Sequence, residues 1–181
     1  SLDEDVERLI KELKDEARKL NEEMKEYVRD SERKVRRLNE EIRRLIEELK
    51  RKAEELKRGN LRRDDLKRRL DELREEVKEI KRRIEKVSED LKKENDEAKR
   101  RLEEVSEELK KKVEEIKEEL ERRNVDDRVK ERLERVLDEA EKSNEETLRE
   151  LDDVSRRIEE SNRRTLAELE KVLRDIEKDV T

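Results

Sequence analysis

Arg58-Gly59-Asn60-Leu61 is one of only two places where an otherwise continuous helical pattern breaks. Gly59 suits the left-handed conformation that closes a helix, and Asn60 suits an N-cap or turn position ahead of the next one. The second break is Arg123-Asn124-Val125-Asp126-Asp127. There Asn124 can end one helix, and Asp126 or Asp127 can cap the next while complementing its dipole. Arg122 and Arg123 place positive charge at the preceding C-terminus, where it is favourable. The two breaks predict an all-α chain of three long helices, over about residues 2–58, 62–122 and 127–179. Turns this short make neighbouring helices antiparallel. At roughly 1.5 Å per residue each helix spans about 80–90 Å. A length of 181 residues fits one domain, 1–181.

The apolar stripe sets the expected shape. In the first helix it runs Leu2, Val6, Leu9, Leu13, Ala17, Leu20, Met24, Tyr27, Ser31, Val35, Leu38, Ile42, Leu45, Leu49, Ala53 and Leu56, which is 15 steps over 54 residues (56 − 2), or 3.6 per step. A left-handed supercoil needs a repeat near 3.5 and a right-handed one near 3.67. The expected bundle is therefore straight and nearly untwisted. Ile10, Val28 and Ile46 widen this stripe, as do Leu148 and Leu166 in the third helix. That width covers two neighbours and leaves little for a fourth helix.

The letters repeat as well as the hydropathy. Leu20-Asn21-Glu22-Glu23 returns as Leu38-Asn39-Glu40-Glu41, a shift of 18 residues (38 − 20). Val87-Ser88 returns as Val105-Ser106, and Ser143-Asn144 with Thr147-Leu148 returns as Ser161-Asn162 with Thr165-Leu166, all at the same shift. Five helical turns is a different period from the common natural helical solenoids.

Composition narrows the chemistry. Charged residues make up 62% of the chain and apolar ones 28%, yet 53 basic against 59 acidic residues leave a net charge of only −6. Abundant but balanced charge fits exposed helix faces rather than a self-repelling disordered tail. The chain has no Cys, His, Trp, Phe or Pro. That removes disulfides, thiolate chemistry, sulfur metal sites and the usual acid/base side chain. No metal, cofactor or catalytic residue is expected. Arg36-Arg37, Arg43-Arg44, Arg82-Arg83 and Arg163-Arg164 lie among carboxylates with no aromatic platform for bases, so they read as solvated faces rather than a nucleic-acid surface. Glu40-Glu41 and Glu114-Glu115 are adjacent on a helix and diverge, so they make no acid/base pair. Nothing approaches the run of about 18 apolar residues that spans a membrane. The compartment is left open, with soluble cytoplasmic expression the default.

Polar residues on the apolar stripe carry most information. Asn21, Ser31 and Asn39 sit there in the first helix, Ser88, Asn95 and Ser106 in the second, and Asn144, Ser155 and Asn162 in the third, with Thr147 and Thr165 nearby. The first and third helices run the same way, and 144 − 21 and 162 − 39 both equal 123. The descending helix offers matching groups in reverse order. Three layers are expected: Asn21 with Ser106 and Asn144, Ser31 with Asn95 and Ser155, and Asn39 with Ser88 and Asn162. A buried amide without a partner costs on the order of 1–3 kcal/mol, so such groups must bond across each layer. A wrong register would strand them against leucine. The competing reading places them at a partly exposed stripe edge. Ser without His or a lysine base has no route to activation. Tyr27 is expected as a packed ring whose hydroxyl reaches the surface.

On the repeat, the Asn/Ser layers, the Glu/Lys/Arg surface and the minimal Gly59-Asn60 connection, the whole chain resembles de novo designed, parametrically generated helical bundles with buried hydrogen-bond networks. The resemblance implies an idealised scaffold with no natural biochemical function and no native ligand, its polar layers specifying register and pairing. A monomer needing no partner is expected. The alternative is a designed assembly module forming a homo- or hetero-oligomer through its apolar stripe. An enzyme is disfavoured by the composition.

Overall fold

A computed structural model describes residues 2–180, with side chains described over 4–178. The stripe's first residue, Leu2, thus has its side chain outside the described residues. The elements are α1 (Leu2–Arg58), α2 (Arg63–Arg122) and α3 (Asp127–Val180), with no strand among the described residues. The fold is a three-helix antiparallel bundle. Cross-helix ion pairs report the directions. On α2 and α3, Arg74 pairs with Glu177 and Lys81 with Glu170, so numbers rise on one helix as they fall on the other.

The two connections close differently from one another. After α2 the chain makes a full C-terminal cap around Asn124, whose φ of 51° is the left-handed region. Val125 N–H donates to the Leu120 carbonyl at 3.1 Å and Asn124 N–H to the Glu121 carbonyl at 3.3 Å. This is the 6→1 and 5→2 pairing that satisfies the last carbonyls of a helix. Val125 and Leu120 then share one apolar cluster, the contact that accompanies such caps. Asp126 caps α3: its Oδ1 accepts from Arg128 N–H at 3.3 Å.

Gly59 departs from expectation. It has no positive φ, and its N–H donates to the Glu55 carbonyl at 3.0 Å, so α1 ends at Arg58 without a left-handed glycine. Asn60 is not the cap of α2 either. The Arg62 carbonyl accepts the first helical bond, from Leu66 N–H at 2.9 Å, and Asp64 and Asp65 supply the favourable negative charge of the first turn. Leu61 packs against the apolar core and anchors the connection there.

The chain divides into two compact units, Ser1–Asp30 with Glu94–Val154 and Ser31–Lys93 with Ser155–Thr181. Each has its own apolar cluster. The first is built on residues such as Ile10, Leu13, Val113, Leu120 and Leu133. The second is built on Ile46, Leu49, Val77, Ile84 and Leu169. On α1 the buried row passes through Ile10, Val28 and Ile46, at 2%, 8% and 2% exposure, and not through Leu9, Tyr27 and Leu45. Leu9 is 37% exposed, the one exposed large apolar side chain among the described residues. From Val6 to Leu56 the row takes 14 steps over 50 residues (56 − 6), counting half-buried Ala17 and Val35, close to the expected 3.6. The period was readable, and so was the row itself except at Leu9, Tyr27 and Leu45, where the next residue along is the buried one.

Candidate functional site: buried polar layers

Eighteen-residue periodicity puts polar residues directly into core rows. Ser31 stands in the row of Leu13 and Leu49, one repeat to either side, and is 4% exposed. Asn95 stands between Val77 and Val113 and is 1% exposed. Ser88 and Ser106 continue the row of Leu70 but are half-buried. Local helix geometry disposes of part of their hydrogen-bonding need. Ser106 Oγ donates to the Leu102 carbonyl at 2.8 Å and Ser88 Oγ to the Ile84 carbonyl at 2.6 Å, the back-bond a helical serine makes to the turn before it. Each hydroxyl oxygen is then left as an acceptor.

In the first unit that acceptor is used by Asn144, whose Nδ2 donates to Ser106 Oγ at 2.5 Å. Thr147 Oγ1 lies 2.9 Å from the Ser143 carbonyl and 3.2 Å from Asn21 Oδ1. A hydroxyl has one proton. Both contacts are satisfied together when Thr147 donates to the carbonyl and the Asn21 amide is turned so that its NH2 faces Thr147. In the second unit Asn162 Nδ2 donates to Ser88 Oγ, and Ser161 Oγ donates to Asn39 Oδ1 at 2.8 Å. Thr165 Oγ1 there donates to the Ser161 carbonyl at 2.8 Å, as Thr147 can to Ser143. The Asn–Ser–carbonyl chain therefore recurs, one repeat along, in each unit.

The contacts refine the expected layers. Asn144 with Ser106 and Asn162 with Ser88 meet directly. Asn21 and Asn39 meet neighbours of the expected asparagines: Thr147, 126 residues on, and Ser161, 122 residues on. Counting only asparagines suggested an offset of 123, whereas the Glu7–Arg132 and Glu32–Arg157 bonds each span 125. Sequence reading passed over Ser161 as a layer member, although it stands in the repeated Ser-Asn-x-x-Thr-Leu spelling. Of the expected Ser31–Asn95–Ser155 layer, Asn95 belongs to the first unit, where its Nδ2 donates to the Leu151 carbonyl at 3.0 Å. A main-chain acceptor of that kind has no signature in sequence. Ser31 and Ser155 belong to the second unit, buried and half-buried respectively. The Tyr27 hydroxyl oxygen is buried and does not reach the surface as expected.

No titratable side chain takes part in these contacts. Among the described residues no three or more acidic, His or Cys side chains gather as a metal site, and no helix is long and apolar enough to cross a membrane. A groove of about 720 Å³ in the second unit has Leu45, Leu49 and Ile80 on its floor and charged residues around them. Across it Lys52 and Glu76 are bonded to each other at 2.7 Å. That bond holds the Lys52 pKa above its ordinary value.

No protein-family model and no curated protein matches the chain. Among solved structures it is similar to a computationally designed three-helix bundle, with a TM-score of 0.61 and 22% identity over 98% of this chain and 89% of that one. At that identity the likeness bears on the fold.

Proposed function

We propose that this chain is a designed structural scaffold without a biochemical activity of its own, one domain and monomeric, whose Asn/Ser layers specify helix register and pairing. The observation that carries the reading is the recurrence, one 18-residue repeat apart, of the same Asn donor, Ser hydroxyl and helix carbonyl in series. A backbone generated from one repeating unit reuses the same polar module at a fixed step. The similarity to a bundle described as computationally designed points the same way. Monomer is favoured because, among the described residues, Leu9 is the one exposed large apolar side chain.

Light scattering on the eluting protein tests the oligomeric part: 22.3 kDa fits the scaffold, and a multiple of it favours the assembly-module alternative. The layer part is tested by replacing Asn21, Asn39, Asn144 and Asn162 together with Leu. The expected product is at least as resistant to denaturant but no longer a single species, giving broadened amide spectra or mixed oligomers. A variant that stays monomeric with one sharp set of amide resonances would remove register specification from the layers.

A further inference from the structure

Both connections between helices carry exposed arginines. Arg58, Arg62 and Arg63 stand around the first, and Arg122 and Arg123 around the second. An endoprotease that cuts after arginine needs more than exposure. It takes the chain as an extended strand bonded to it through the main chain, with the arginine in a pocket that ends in a carboxylate. A helix offers neither the free main chain nor the extended shape. The ease of a cut is therefore set by how much must unwind first.

The second connection resists unwinding. Arg123 N–H donates to the Glu119 carbonyl at 3.2 Å, Asn124 N–H to Glu121 at 3.3 Å and Val125 N–H to Leu120 at 3.1 Å. Leu120, just ahead of these arginines, is 3% exposed. Arg58 is held in the same manner. Gly59 N–H after it bonds to the Glu55 carbonyl, and Leu56 just before it is 5% exposed. Extending the chain ahead of Arg58, Arg122 or Arg123 pulls a leucine out of a core.

Arg62 is placed differently. Gly59, Asn60 and Leu61 before it lie outside both helices. Among the described residues no main-chain hydrogen bond holds the N–H of Asn60, Leu61 or Arg62. Leu61 is the apolar anchor here, and it is only half-buried. Beyond Arg62 the start of α2 is loosely tied. The first N–H groups of a helix have no acceptor within it. From Arg63 to Arg69 no residue is buried, Leu66 being half-buried, and the first buried side chain is Leu70. Arg63 is less suited than Arg62 to the enzyme's pocket, because Asp64 follows it directly and sets a carboxylate beside an acidic pocket.

We propose that the bond between Arg62 and Arg63 is a modification site, the place where an arginine-reading endoprotease cuts the folded chain once. Water is the co-reactant. The amide C–N bond breaks, the Arg62 carbonyl carbon takes the hydroxyl to become a carboxylate, and Arg63 keeps the nitrogen as a new ammonium next to Asp64. The product is a two-chain protein. In the second unit α1 stays tied by Lys52–Glu76, by Arg83–Glu41 at 2.6 Å, by the Ser161–Asn39 bond and by its buried row from Leu38 to Leu56. In the first unit Lys112–Glu16 and Arg101–Glu23 hold it.

The test adds trypsin at low ratio to the intact chain and reads early products by mass. Of the 53 lysines and arginines, Arg62 should be cut first, giving fragments 1–62 and 63–181 that elute with the uncut protein natively and separate in denaturant. Arg62→Gln with Arg63→Gln should slow the first cut at least about tenfold at an unchanged unfolding midpoint, while Arg58→Gln and Arg123→Gln leave its rate within about twofold. A local opening exposes little surface, so the rate, scaled to a reference peptide, should stay nearly constant in urea below the unfolding transition. Four results would each overturn the proposal: a first cut at another bond, many products arising together, fragments that part on the native column, or a rate that climbs with urea as the unfolded population does.

Discussion

Replacing Ser106 by Ala should cost more than replacing Asn144 by Ala, although the two share one hydrogen bond. Asn144 is 8% exposed and its Nδ2 donates to Ser106 Oγ at 2.5 Å. Ser106 donates onward to the Leu102 carbonyl. Asn144→Ala removes the bond but leaves Ser106 half-buried and still donating. The polar part of the loss is then one net hydrogen bond, about 1 kcal/mol. Ser106→Ala instead leaves the Asn144 amide without its acceptor in a buried position, which costs about 1–3 kcal/mol. In the double variant that stranded donor no longer exists. The two single losses should therefore exceed the double loss by about 1 kcal/mol or more. Guanidinium unfolding followed by circular dichroism at constant slope gives the four free energies. Combining Asn144→Ala with Asn162→Ala, in the other unit, should add within about 0.5 kcal/mol. Additivity of Ser106 with Asn144, or a milder effect at Ser106, would mean that this bond does not hold the layer.

Other outcomes follow from the same contacts. Asn95→Val copies Val77 and Val113 into a site that is 1% exposed; apolar burial outweighs the amide's net hydrogen bonding, so chemical denaturation should show a gain of about 1 kcal/mol. Ile10→Ala should cost about 2–5 kcal/mol while Leu9→Glu stays within about 0.5, a contrast at adjacent residues that reports the phase of the stripe. At the turns, Asn124→Ala forces a Cβ-bearing residue without a compensating amide into the left-handed region and should lose about 1 kcal/mol, whereas Asn124→Gly is tolerated. Gly59→Ala should be neutral or stabilising by up to about 1 kcal/mol, since φ is ordinary there and a Cβ would meet Glu55 O only at 3.4 Å. The pH profile should fall at both ends. Hydrogen bonds from Arg132 to Glu7 and from Lys92 to Glu159 hold both carboxyls below the ordinary 4.5. Their contribution is complete above that value and disappears as pH drops through the lower folded-state values. Bonds from Lys52 to Glu76 and from Lys117 to Glu134 raise both amines above 10.5, so theirs is complete below that value and is lost as pH rises through the folded-state values. Thermal midpoints against pH should show both limbs at low salt and flatten in molar salt; a flat profile at low salt would contradict the pairing.

What could be read from the residues was what repeats along one helix. Helix number, the two breaks, the five-turn period and the polar residues of the core rows all follow from local pattern, because side chains 18 residues apart share a face whatever packs against them. Asn124 was legible too, since the left-handed cap is a property of its own backbone. Whatever depends on a second helix was decided only in three dimensions. Leu9 and Ile10 are equally apolar in sequence, and only the direction of the neighbouring helices makes one exposed and the other buried. Asn21 takes Thr147 and Asn39 takes Ser161, because interhelical register settles to within a residue or two when whole faces pack. Asn95 finds a carbonyl of α3, a group every residue possesses and none announces. A linear chain records which side chains share a face, but the rotation and offset between faces come from packing all of them at once.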